Sequence, residues 1–286
     1  MTTEAERAAM SVRPVLTTVD ELVCDRADGR VARLLDVRWS LAEPDGRPAY
    51  LAGHIPGAVY VDLETELSRL AGPGEGRHPL PHEADLQAAA RSWGIDDGDA
   101  VVVYDGSGNL SAARAWWLLS HAGLTVRVLD GALPAWRDAG LDLATGDEPV
   151  VPGSVTLAYG RFGVLGIEDV DAFVASQPLL DARAGERYRG KVEPIDPRAG
   201  HIPGALSAPT AENLDATGRF LDPAALEKRF LELGLESGSE VGVYCGSGVT
   251  AAHEAVALTL AGFRPVLYAG SWSEWSSHPD RPVAPT

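Results

Sequence analysis

Only two cysteines, Cys24 and Cys245, occur among 286 residues, and no C-x2-C pair exists. That excludes a disulfide-stapled framework and a zinc site built on cysteine pairs. Basic residues are outnumbered 24 to 41, which leaves a formal charge of −17. An anion-rich surface repels phosphate backbones and anionic headgroups, so nucleic acid and membranes are excluded as partners. No run approaches the ~18 consecutive apolar residues of a membrane span. The opening stretch MTTEAERAAMSVRP carries acids and no export-type apolar core. The expectation is a cytoplasmic globular protein with reduced thiols, in which an anionic substrate must be met by a local group of arginines. His78 and His82 in HPLPH are spaced like metal ligands, but the two prolines forbid the helix that would bring both rings to one side. No metal or organic cofactor is expected.

What the chain has instead is repetition. LLDVR at 34–38 returns as LLDAR at 179–183, and AGHIPGA stands at both 52–58 and 199–205. VVVYDGSGNLSAARA from Val101 matches VGVYCGSGVTAAHEA from Val241, and VLDGALPAW ending at Trp136 matches LYAGSWSEW ending at Trp275. The copies lie about 140 residues apart, the length of a duplicated domain rather than of a solenoid unit. Each copy alternates apolar runs suited to buried strands, such as AVVVY and VGVY, with helical stretches. SAARAWWLLSHAG and TAAHEAVALTLAG stop at Gly123 and Gly262, as a C-terminal glycine predicts. The pattern predicts an α/β fold of two tandem domains, residues 12–145 and 164–286, each a mostly parallel sheet with helices on both faces. Residues 146–163 read as the linker, Trp116 and Trp117 as core, and Cys24 as a bystander thiol.

In both copies a strand ends in tyrosine and passes through X-G-S-G into a helix. Such a turn aims several backbone N–H groups and the positive end of a helix at one point. Glycine geometry alone would account for a tight turn. The residue at its head makes the difference: Asp105 in the first copy and Cys245 in the second, where the nucleophilic thiolate is favoured. A cysteine phosphatase needs C-x5-R, and the arginine position holds Ala251. A nucleotide-binding loop needs a lysine after its last glycine, and Val249 and Thr250 follow Gly248. Sulfur transfer remains, in which the thiolate takes a sulfane or thiol sulfur and holds it as a persulfide.

CGSGVTA, the paired GHIPGA and LLD[VA]R motifs and the terminal GSWSEW together resemble the tandem-domain sulfurtransferases, the rhodanese and 3-mercaptopyruvate sulfurtransferase family, over nearly the whole chain. The resemblance implies two rhodanese-like domains, the first non-catalytic, with Asp105 in place of the cysteine. It implies catalysis by Cys245 with Ser247, and substrate contact from Gly246, Gly248, Val249 and Thr250, the last also read as a helix cap. Arg187 and Arg198 are the implied ligands of the donor carboxylate. Arg183, mirrored by Arg38, and His201 read as structural. His54 is the implied proton relay, with Asp45 the nearest aspartate. The small, neutral loop implies 3-mercaptopyruvate as donor, with cyanide, a small thiol or a thioredoxin-like protein as acceptor. A thiosulfate donor and a non-enzymatic persulfide carrier stand as alternatives.

Overall fold

The computed structural model describes residues 15–30 and 33–284; residues 12–14, 31–32 and 285–286 of the expected domain spans lie outside them. The first sheet holds β1 (Leu16–Thr17), β2 (Arg33–Asp36), β3 (Ala58–Tyr60), β4 (Ala100–Tyr104) and β5 (Thr125–Leu129). Its order is β1-β5-β4-β2-β3 and every pairing is parallel. The second holds β6 (Gly163–Leu165), β7 (Leu179–Asp181), β8 (Leu206–Ser207), β9 (Glu240–Tyr244) and β10 (Arg264–Tyr268). Its order, β6-β10-β9-β7-β8, repeats that of the first, again all parallel. The helices of the first half are α1 (Val19–Ala27), α2 (Arg47–Ala52), α3 (Glu83–Ser92), α4 (Ala112–His121) and α5 (Ala132–Asp138). Those of the second are α6 (Val170–Val174), α7 (Gly185–Tyr188), α8 (Pro223–Glu232), α9 (Thr250–Leu260) and α10 (Ser271–Ser277).

Val101, Val102 and Val103 of β4 are wholly buried, which explains why that run alternates nothing: a parallel strand covered on both faces is apolar throughout. α4 and α9 follow the same logic as helices. Ala112 to Leu119 and Ala251 to Leu258 are buried all round, and α4 packs against α9 across the two halves. A helix apolar nearly all round belongs in an interior, and the polar exceptions in those runs, Arg114 in α4 and His253 and Glu254 in α9, are buried with it. Trp117 is fully buried there, stacked on Phe162, and truncation to alanine should cost about 3–5 kcal/mol. Because α4 and α9 each begin at an X-G-S-G loop, this packing brings parts of the first half up to the loop of the second.

The segment between the sheets is not slack. Gly153 and Val155 donate to the carbonyls of Arg91 and Ile95 at 2.8 and 3.1 Å, and Leu157 donates to Gln87 Oε1 at 2.9 Å. Val155 and Leu157 are buried beside α3. Among the described residues no helix is long and apolar enough to cross a membrane.

Candidate active site

β9 ends at Tyr244 and α9 begins at Thr250, so Cys245 heads a turn of five residues. The start of α10 holds that turn. Cys245 N–H donates to Ser271 Oγ at 3.1 Å, and the carbonyls of Cys245 and Gly246 accept from Trp272 and Ser273 N–H, both at 2.9 Å. Gly248 has a φ of +79°, and a Cβ there would lie 2.5 Å from the Ala269 carbonyl oxygen. Only glycine satisfies both constraints. The resulting geometry aims the Gly248 N–H at Cys245 Sγ, 3.2 Å away.

The first-half loop shows what such a frame can hold. The Asp105 carboxylate accepts from the N–H groups of Ser107, Asn109, Ser111 and Ala112 at 2.7, 2.9, 2.9 and 3.2 Å, and from Ser111 Oγ at 2.9 Å. The nest is filled by the protein's own anion. In the second copy Cys245 stands at the head of the aligned loop, and the N–H directed at its sulfur is that of Gly248.

Two further groups arrive from the first half. His78 Nδ1 lies 2.7 Å from Ser247 Oγ, and its Nε2 lies 3.1 Å from Glu64 Oε1. Trp39 sets both partners, donating its indole N–H to Glu64 at 2.6 Å and meeting the imidazole edge-on at 5.3 Å. Burial holds His78 below its ordinary value; Glu64 pulls it up, while Arg114 and Arg77 push it down. The ring is therefore neutral near pH 7. With its one proton on Nε2 facing the carboxylate, Nδ1 is left to accept the Ser247 hydroxyl.

Arg77, also from the first half, pairs through Nη1 with Asp196. Arg187, in α7, donates through Nη2 to Glu193 Oε1 at 2.7 Å and to Asp196 Oδ2 at 3.1 Å. A Cβ built on Gly246 would lie 3.2 Å from Arg77 Nη2 and 3.5 Å from Arg187 Nη1. Two guanidinium groups, one from each half, thus converge beside the cysteine, and a side chain at Gly246 would press on the Arg77 guanidinium. Burial raises the Asp196 carboxyl above the usual range against the pull of Arg77 and Arg187. Burial also opposes ionisation of Glu193, but the Arg187 and backbone hydrogen bonds prevail and hold it low. Arg114 of α4 is wholly buried and donates to the carbonyls of Leu67, His78 and Gly248 at 3.2, 2.9 and 3.2 Å. Burial pulls it down to about 10, with the nearby Cys245 acting against the shift.

Three expectations need correction. Arg198 is not brought to the loop: it donates to the carbonyls of Ser276, Arg281, Trp275 and His278 at 2.9, 2.8, 2.9 and 2.6 Å. Those acceptors lie at and beyond the C-terminal end of α10, whereas the cysteine loop is held by its N-terminal end. His54 is not the imidazole beside Ser247. Its Nδ1 lies 2.9 Å from the Tyr50 carbonyl, its ring stacks on Tyr50, and its Nε2 lies 3.4 Å from Glu148. His201 repeats the arrangement on Tyr188, so the GHIPGA histidines brace a loop; Asp45 is exposed and accepts the Arg47 N–H. Thr250 does not cap α9, whose N-cap is Val249, with no side-chain bond. Arg183 lies against Asp181, with Nε at 2.9 Å from Oδ1.

Sequence reasoning missed Arg77, His78, Glu64 and Arg114. A signal existed. Gly76-Arg77-His78 in the first copy aligns with Gly218-Arg219-Phe220 in the second, so the repeat extends through the glycine and arginine and breaks at the histidine.

Known proteins resemble the chain over most of its length. The model of the rhodanese-like domain matches twice, at residues 18–139 and 167–278. A putative thiosulfate sulfurtransferase, SseB, of Mycobacterium tuberculosis is 49% identical over 273 residues, covering 94% of this chain and 96% of its own. A probable 3-mercaptopyruvate sulfurtransferase of Pseudomonas aeruginosa is 48% identical over 261 residues, covering 88% of this chain and 91% of its own. Among solved structures, the 3-mercaptopyruvate sulfurtransferase SseA of Escherichia coli superposes with a TM-score of 0.78 at 30% identity, over 91% of this chain and 99% of its own.

Proposed function

Because the chain belongs to the tandem rhodanese-type sulfurtransferases, we propose that its second half takes sulfur from 3-mercaptopyruvate onto Cys245 and passes it to cyanide or a thiol. One observation carries the choice of donor: Arg77 Nη2 and Arg187 Nη1 converge on Gly246, directly after the nucleophile, where a carboxylate two carbons from a thiol would be held by N–H donors. The relatives' names divide between thiosulfate and 3-mercaptopyruvate, so the donor rests on this geometry.

The donor carboxylate sits on the two arginines and its thiol sulfur faces Cys245 Sγ. The Cys245 proton passes through the Ser247 hydroxyl to His78 Nδ1, and Glu64 steadies the imidazolium across Nε2. The cysteine sulfur attacks the donor sulfur, the carbon–sulfur bond breaks, and its electron pair leaves as the enolate of pyruvate. That carbon takes back the proton from His78 through Ser247, and Cys245 is left as the persulfide. The Gly248 N–H faces the Cys245 sulfur, which bears charge as thiolate. An acceptor then attacks the outer sulfur and releases Cys245. A protein acceptor of thioredoxin type and a cytoplasmic setting agree with two unpaired thiols and complete the proposal.

Steady-state kinetics with 3-mercaptopyruvate and thiosulfate side by side, cyanide as acceptor, test it. Wild type should prefer 3-mercaptopyruvate, Cys245→Ser should abolish turnover, and Arg77→Ala or Arg187→Ala should raise KM for 3-mercaptopyruvate at least tenfold. A thiosulfate preference would overturn the donor. Activity with neither donor, together with persulfide acquired from a partner protein, would make the chain a carrier.

A further inference from the structure

Asp196 takes no part in the chemistry above, yet its carboxylate is a third member of the arginine site. It is 2% exposed, pairs with Arg77 Nη1 through Oδ1, and accepts from Arg187 Nη2 through Oδ2 at 3.1 Å. Glu193, 3% exposed, takes Arg187 as well, at 2.7 Å. Two cations facing Gly246 are thus matched by two buried carboxylates, and the site offers directed N–H donors with little net charge. The aspartate is not free to swing away. Pro194 and Pro197 bracket it in sequence, a residue before proline is held extended, and its own N–H donates to Glu193 Oε1 at 3.1 Å. Each arginine gives one Nη to Asp196 and turns the other toward Gly246.

Resting on the reading of Arg77 and Arg187 as donor ligands, we infer that Asp196 sets the charge of the donor site, admitting a donor with one negative charge and disfavouring one with two. A guanidinium with a hydrogen bond on each side separates its two partners by on the order of 6 Å. At that range, in a site of effective dielectric about 20, one fixed negative charge weakens binding roughly tenfold or more for each charge on the donor. A monoanionic keto-acid thiol meets that repulsion once and dianionic thiosulfate twice. Asp196→Asn removes the charge and keeps the shape. The gain for thiosulfate then exceeds that for 3-mercaptopyruvate by one charge's worth of repulsion, roughly tenfold or more, whatever loss of arginine alignment the two donors share.

The experiment compares wild type, Asp196→Asn and Asp196→Glu with both donors at pH 8. The ratio of kcat/KM for thiosulfate to that for 3-mercaptopyruvate should rise about tenfold or more in Asp196→Asn and fall back toward wild type in Asp196→Glu. Equal changes with both donors, leaving the ratio where it was, would overturn the inference and reduce Asp196 to a spacer between arginines. Should Asp196→Asn not fold, inhibition of wild type by pyruvate and by oxalate replaces it. Oxalate binding no tighter than pyruvate supports the inference, and tighter binding by the dianion defeats it. The donor that wild type prefers is read separately: a thiosulfate preference sinks the donor assignment while the ratio shift still judges Asp196.

Discussion

Replacing Arg198 with methionine should lower stability and leave the donor KM alone. The guanidinium donates four hydrogen bonds of 2.6 to 2.9 Å to carbonyls of Trp275, Ser276, His278 and Arg281. The last carbonyls of a helix lack intrahelical partners, and a cation placed there also answers the negative end of the helix. The side chain is only half-buried, so the freed carbonyls recover water and each bond is worth about 0.5–1 kcal/mol net. Methionine retains the apolar stem. The loss is then about 2–4 kcal/mol, or about 5–12 °C in Tm for a unit of this size. Thermal unfolding by circular dichroism reads the first quantity and steady-state kinetics with 3-mercaptopyruvate the second. KM should stay within about twofold, since the guanidinium faces the far end of α10 from the cysteine loop. An unchanged Tm with a tenfold rise in KM would show that Arg198 binds donor and that its carbonyl network is the wrong reading.

His78→Asn should lower kcat by about 10²–10³-fold and Glu64→Gln by less, with KM little changed, because a proton relay acts on the chemical step. Equal losses in KM would make His78 a binding residue. Burial sets His78 below the ordinary 6.5, so the neutral, proton-accepting ring persists into mild acid; kcat should hold level through pH 7 and fall only below that range. Glu64→Gln, removing the group that pulls His78 up, should move this acid limb lower still, and a limb above 6.5 would contradict the assignment. Asp105→Ala strips five hydrogen bonds from a buried nest; it should destabilise the protein by about 3–5 kcal/mol, measured by urea unfolding, and leave turnover by the folded fraction intact.

Strands β4 and β9, the helices α4 and α9, and the loop headed by Cys245 were legible because each leaves a local mark: an unbroken apolar run, a glycine just past the helix end, a glycine pair after a strand. Arg187 leaves no such mark and was legible only through the family resemblance, four residues past the end of LLDAR. His78 was not, because what gives it meaning is Ser247, 169 residues away. HPLPH reads as a metal motif that its prolines break, although a segment without regular structure can still carry one side chain across an interface. Arg198 misled in the opposite way. Its position before GHIPG says nothing about which way the chain turns after Pro197, and that turn sends the guanidinium to α10.

The asymmetry between the halves follows from an exchange that the repeat makes nearly symmetric. The Gly-Arg-His segment of the first half lies against the cysteine loop of the second, with Arg77 N–H on Ser273 and His78 on Ser247. The Gly-Arg-Phe segment of the second half lies against the first, with Arg219 donating to the Asp130 carbonyl and Phe220 N–H to Asp130 Oδ1. Helix contacts are exchanged as well: Arg114 reaches the Gly248 carbonyl at 3.2 Å, and His253 Nε2 reaches that of Gly108 at 3.1 Å. Each loop is therefore completed by the other half. At the Asp105 loop the nest is filled and the visiting segment brings a phenylalanine, which can hold no proton. At the Cys245 loop the head residue is a cysteine and the visitor brings an imidazole, backed by the Glu64 carboxylate, and a second arginine. Neither half contains the whole site, and so the buried packing of α4 on α9 is a condition of the chemistry as well as of the fold.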